Sequence, residues 1–124
     1  MITEFNVGVA SSSPQGIAAG PDGNLWFSDT GTNSIGRMVV TGLVTEFPLP
    51  TPNSQVFVIT AGRDGNLWYA SSSNNRIGRI TPTRTFTEFL LPNAYQVITG
   101  PDGNLWAAQS NAAGGGRIAR LTLP

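Results

Sequence analysis

The chain has 124 residues, enough for one domain with a buried core. Its seven basic residues, all arginine, balance seven acidic ones, and a neutral, sparsely charged surface argues against nucleic acid or an anionic membrane as partner. Cysteine and histidine are both absent, which excludes disulfides, thiolate metal sites and the commonest general base.

The chain opens on MITEFNVG, which has no basic segment followed by an apolar one. No signal peptide is therefore expected, and a cytoplasmic location is expected over a secreted one. No later stretch approaches the run of about 20 apolar residues that a membrane-spanning helix needs. After this opening come four predicted strands: QGIAA (15–19), NLWFS (24–28), SIGRMVV (34–40) and VTEFPL (44–49). Asp22-Gly23 between the first two is a strong hairpin signal, and Pro21-Asp22-Gly23 suits a type I turn closed by glycine. Thr41-Gly42 makes a tight turn between the last two. Leu25 and Trp26 are adjacent, so they point to opposite faces, and each face of the sheet carries a large apolar side chain.

The same text then repeats. GPDGNLW at Gly20–Trp26 returns as GRDGNLW at Gly62–Trp68 and as GPDGNLW at Gly100–Trp106. Phe5, Phe47 and Phe89 are 42 residues apart, and Arg37, Arg79 and Arg120 are 42 and 41 apart. Trp26 to Trp68 is 42 and Trp68 to Trp106 is 38, so the third unit loses four residues before its turn and gains three after it. The repeats run 2–43, 44–85 and 86–124, within a single domain over 1–124. A period near 42 with four strands per unit predicts an all-β protein, a β-propeller with three four-stranded blades.

The combination TEFPLPTPNS, GPDGNLWF and NRIGRITP resembles the blades of the streptogramin B lyase (virginiamycin B lyase) family over the whole chain. It is similar, more distantly, to other propellers with blades of this length, such as NHL repeats. The resemblance implies a propeller fold; enzymes of the family are seven-bladed and open a cyclic depsipeptide with His and Glu beside magnesium. This chain has three blades and no His, and its Glu4, Glu46 and Glu88 occupy one scaffold position in every unit. No catalytic residue of the family carries over, and neither a cofactor nor a metal is expected.

Residues repeated in every blade serve what every blade shares. Trp26, Trp68 and Trp106 are therefore expected as packing between blades rather than a stacking platform. Asp22, Asp64 and Asp102 are expected as turn residues, since the twelve-residue calcium-loop pattern is missing. Ser11–Ser13 and Ser71–Ser73 have no His or Lys to activate them as nucleophiles. Individuality lies in the second-to-third and fourth-to-first strand connections, which share one propeller face. Asp29, Arg76 and Tyr95 on that face are the candidate ligand-binding residues, for a small molecule the sequence does not identify.

Three blades do not close a ring, since propellers run from about 4 to 8. Uncovering several hundred Å² of apolar sheet face would cost on the order of 10 kcal/mol. Each chain is therefore expected to be a half-ring, closed as a six-bladed homodimer whose demonstrable activity is self-assembly. A ligand-binding module is the alternative, and a lyase-like enzyme the least favoured reading. Arg37 and Glu46 are nine residues apart, as are Arg79 and Glu88, and are expected as directly opposed cross-strand pairs. By the same count Arg120 meets Glu4 of the second copy, with Ile2–Phe5 completing the third blade in trans.

Overall fold

The computed structural model describes residues 1–112 and 115–124. Three antiparallel sheets follow one another along the chain. The first holds β1 (Pro14–Ala19), β2 (Leu25–Asp29), β3 (Ser34–Met38) and β4 (Val44–Pro48) in chain order. The second repeats the pattern with β5 (Val56–Ala61), β6 (Leu67–Ser71), β7 (Arg76–Ile80) and β8 (Phe86–Leu90). The third has three strands: β9 (Ala94–Thr99), β10 (Leu105–Ala112) and β11 (Gly115–Leu121). Each sheet is a meander, as a propeller blade is.

The blades stack face to face with their first strands innermost, β1 along β5 and β5 along β9. The backbones approach so closely there that a Cβ on Gly16 would stand 2.5 Å from the Phe57 carbonyl oxygen. One face of each blade carries the tryptophan and packs on the leucine face of the next. Trp26, Ile35, Phe47 and Leu49 meet Ile59, Leu67, Tyr69 and Ile80 between the first two blades. Trp68, Ala70 and Ile77 meet Val97, Leu105 and Ala107 between the second and third. Trp26 and Trp68 thus fill inter-blade cores as expected, and Trp106 is half-buried on a face that no blade covers among the described residues.

The repeated turn phrase has a further purpose. Gly23, Gly65 and Gly103 close the turns at φ near 80° (81°, 79° and 78°), a region open to glycine. In each turn the aspartate accepts a hydrogen bond from the indole N–H of the tryptophan four residues on, at 3.0 Å for Asp22 and Trp26 and 2.8 Å for Asp102 and Trp106. Asp64 holds Trp68 the same way at 3.2 Å. The phrase therefore couples a turn to the orientation of a core side chain.

Two expectations need correction. Arg37 is opposed by Thr45, and Glu46 by Gly36; in the second blade Arg79 faces Thr87 and Glu88 faces Gly78. The register is one residue away from the nine-residue count, so arginine and glutamate point to opposite faces of their sheet. The arginines lie over the tryptophan rings instead, 5.7 Å from Trp26 for Arg37 and 5.6 Å from Trp68 for Arg79. Arg120 lies 5.7 Å from the Trp106 ring, and its carboxylate neighbour is Asp102, at 3.8 Å. Secondly, the second-to-third strand connection of the third blade, expected to be as individual as the others, is mostly strand over Ser110–Gly116, since β10 runs to Ala112 and β11 begins at Gly115. Residues 113 and 114 of that segment lie outside the described residues.

Candidate functional site

The variable connections do gather at one end of the blades. Asn33, before β3, donates from Nδ2 to the Thr51 carbonyl and accepts from Ser54 N–H, at 3.0 and 2.9 Å. Asn75 repeats the clamp one unit later, accepting from Asn93 N–H at 3.0 Å. Both asparagines adopt left-handed φ, 54° and 55°, which their short polar side chains tolerate. Their 42-residue spacing was the available sequence signal.

Asp29, Arg76 and Tyr95 sit on strands of three different blades. Asp29 ends β2 and is 1% exposed. Its Oδ1 accepts from Ser13 N–H at 2.7 Å and Gly31 N–H at 3.1 Å. Beside it stands Glu46, whose Oε1 accepts from the Thr32 hydroxyl at 2.9 Å. Asp29 Oδ2 and Glu46 Oε2 are both buried and accept from no N–H or O–H group among the described residues, which leaves the two carboxyls to pair through a proton. Burial pushes the Glu46 carboxyl up to about 7, and Asp29 adds to the rise by that bond and by repulsion. For Asp29 burial works upward too, but the bonds from Glu46 and from backbone N–H groups outweigh it and hold the carboxyl below its usual range. The pair is a proton shared between two acids, with Glu46 keeping it. The second blade solves the same position differently: Glu88 accepts from the hydroxyls of Tyr69 and Thr51, at 3.0 and 2.6 Å.

Arg76 starts β7 half-buried, with a buried Nε that has no hydrogen-bond partner among the described residues. Tyr95 is 48% exposed in β9 and lines an open recess of about 350 Å³ with Gln109, Arg117 and Ile118. Among the described residues no three His, Cys, Asp or Glu side chains stand together as a metal site would require. The residues here do not fit the magnesium site that the resemblance implies.

The two end faces hold a stronger feature. On the leucine face of the first blade lies an apolar cavity of about 260 Å³, lined by Val7, Pro14, Ile17, Leu25, Phe27 and Met38. Each of these is the residue 42 positions before one that packs with Trp26 in the first inter-blade core: Leu49, Val56, Ile59, Leu67, Tyr69 and Ile80. The cavity is the tryptophan socket, one unit earlier in the chain. Exposure confirms that it stands open, since Ile17 is 66% exposed while its equivalents Ile59 and Val97 are 5% and 0%. On the opposite end face Trp106 is half-buried, and Ile118 is 70% exposed where Ile35 and Ile77 are 0%. One end of the chain presents a socket and the other the residue that fills such sockets.

The Virginiamycin B lyase family matches residues 1–123. The fold is similar to a crystal structure of selenomethionine-substituted virginiamycin B lyase from Staphylococcus aureus, with a TM-score of 0.82 and 30% identity, covering 100% of this chain and 46% of that one. A streptogramin B lyase structure gives 0.80 and 31%, covering 98% of this chain and 44% of that one. A catalytically inactive variant of the Staphylococcus aureus lyase with quinupristin gives 0.80 and 29%, over 98% and 45%. The chain therefore spans less than half the length of each. No curated protein matches in sequence.

Proposed function

The chain belongs to the virginiamycin B lyase family, and from that premise we propose that it works as a ring-forming propeller half, two copies closing one six-bladed ring, with no lyase chemistry of its own. The carrying observation is the open tryptophan socket on the first blade, matched by the uncovered Trp106 face on the third. Docking one on the other reproduces the contact already made twice inside the chain. Two copies give one blade fewer than the seven of the family enzymes, so each interface has to turn a little further. The absence of histidine supports the non-catalytic part, because it removes the imidazole that acid–base chemistry most often uses.

A second reading, ligand binding, is favoured by the recess beside Tyr95 and Arg117. Thermal unfolding across a hundredfold range of chain concentration tests the first reading. Folding linked to association makes the midpoint rise with concentration. A midpoint independent of concentration would contradict the ring. A streptogramin B incubated with the chain and magnesium should stay closed; turnover abolished by Asp29→Asn would overturn the non-catalytic reading.

A further inference from the structure

In the first two blades every tryptophan has two ring neighbours on its own sheet. Phe47 of β4 stands 5.9 Å from Trp26, and Phe89 of β8 stands 5.8 Å from Trp68, each with an arginine over the ring. Among the described residues Trp106 has Arg120 over its ring and no phenylalanine beside it. The phenylalanine it lacks belongs on a fourth strand, and the outer edge of β11 carries no strand among the described residues. Along Ile118–Arg120 that edge offers backbone groups to an added strand.

The segment before β1 repeats the sequence of a fourth strand and already stands where one belongs. Phe5 lies against Gly42, whose Cβ position would be 2.6 Å from the ring. Phe47 lies against Arg84 in the same way, the guanidinium 5.6 Å from the ring, and both partners are 42 residues further on. Val7 lines the open socket where Leu49 closes the next one. Residues 2–7 therefore hold the place of the outer strand of a blade that would precede the first, although among the described residues they pair with no sheet. Ile2 and Phe5 are 89% and 48% exposed, as they would be with that blade missing.

We propose that Ile2–Phe5 of one chain adds to the edge of β11 in a second copy, giving the third blade its fourth strand and Trp106 its phenylalanine. This rests on the ring reading above and names the contact that locks it. The register follows from the other two blades. Trp106 opposes Arg120 as Trp26 opposes Arg37, and Arg37 opposes Thr45. Arg120 therefore meets Thr3, Ala119 meets Glu4, and Ile118 meets Phe5 of the second copy. That brings Phe5 beside the Trp106 ring and covers Ile118. Arg120 and Glu4 fall on opposite faces, so no ion pair between them contributes. The segment engages both chains at once, as Phe47 touches both its own Trp26 and Arg84 of the next blade.

The chain has no cysteine, so engineered thiols report without background. Thr3→Cys and Arg120→Cys chains are refolded together and oxidised, with Glu4→Cys and Arg120→Cys as the companion pair. Opposed positions bring Cβ atoms within disulfide reach, and the neighbouring position points to the other face. The proposal predicts a covalent dimer of unlike chains from the first mixture, at least tenfold more than from the second. Equal yields, or none while the mass stays dimeric, overturn strand donation and leave the ring reading standing. A doubly substituted chain, Thr3→Cys with Arg120→Cys, that oxidises to a covalent monomer overturns it as well. Loss of the dimer in the unsubstituted chain overturns the ring itself.

Discussion

Asp102 shows what the repeated turn residue does beyond closing a hairpin. The Trp106 indole N–H and the Asn104 side chain hold its carboxyl well down, to about 2. The sequence revealed the turn, because Asp-Gly is a local signal. It did not reveal the indole bond, which depends on how the strand leaves the turn. Trp68, 2% exposed between the second and third blades, belongs to the middle blade, which has a blade on each side. Trp68→Ala should cost about 3–5 kcal/mol in equilibrium unfolding. A loss under about 1 kcal/mol would mean the ring is not packed as described. The Asp29–Glu46 pair gives a pH dependence of definite sign. Glu46 titrates near 7 in the folded chain against an ordinary 4.5, so between those values the native state holds a proton the unfolded state has lost. Its contribution is complete below about pH 4.5 and gone above about pH 7. Asp29, held below its usual range, acts the other way and only in stronger acid. Denaturant midpoints at pH 5 and pH 8 should favour pH 5 by on the order of 1 kcal/mol, and Glu46→Gln should abolish that difference. An unchanged difference in the variant would show the pair is not a shared proton. Nothing in the sequence marked this pair, since the two residues are 17 apart and Asp29 has Ser71 as its equivalent one unit on.

At the scale of elements the strands were legible nearly to the residue. The third strand of the first unit ends at Met38 and not Val40, because Val39 is already in the turn, bonded to Leu43 and Gly42. That turn is also why the cross-strand register was misjudged. Its geometry makes opposed residue numbers sum to 82, and the nine-residue spacing of Arg37 and Glu46 sums to 83. A slip of one exchanges the faces of every side chain, so the arginines stack on tryptophan instead of pairing with glutamate. Asn33, which clamps the connection from β4 to β5, was legible in principle from its repeat at Asn75. Asn33→Ala removes two of its hydrogen bonds and a left-handed residue suited to its φ. It should lower stability by about 1–2 kcal/mol, read by thermal or urea unfolding. An effect within about 0.3 kcal/mol would mean water replaces the clamp without loss. Arg63 is a case where sequence reasoning stopped short. It stands where the other two turns carry proline, and its guanidinium donates to the Leu123 carbonyl at 2.8 Å and ties the second turn to the third blade.

For the whole molecule the question is what covers the two end faces. Inside the chain, tryptophan face meets leucine face twice, and each meeting buries its aliphatic residues almost completely. The remaining two faces are of the same two kinds, which makes them complementary to each other but not to themselves. Contacts of that type propagate head to tail and end only when the ring closes. In the proposed ring two copies close it with both sockets filled; a chain left alone exposes Ile17, Ile98 and Ile118 at 66%, 54% and 70%. The mass in solution, by light scattering at micromolar concentration, tests this most directly. The proposed ring gives twice the 13.1 kDa of one chain, with native β circular dichroism lost on dilution to nanomolar concentration. A folded species of 13.1 kDa that keeps its native spectrum on dilution would contradict it.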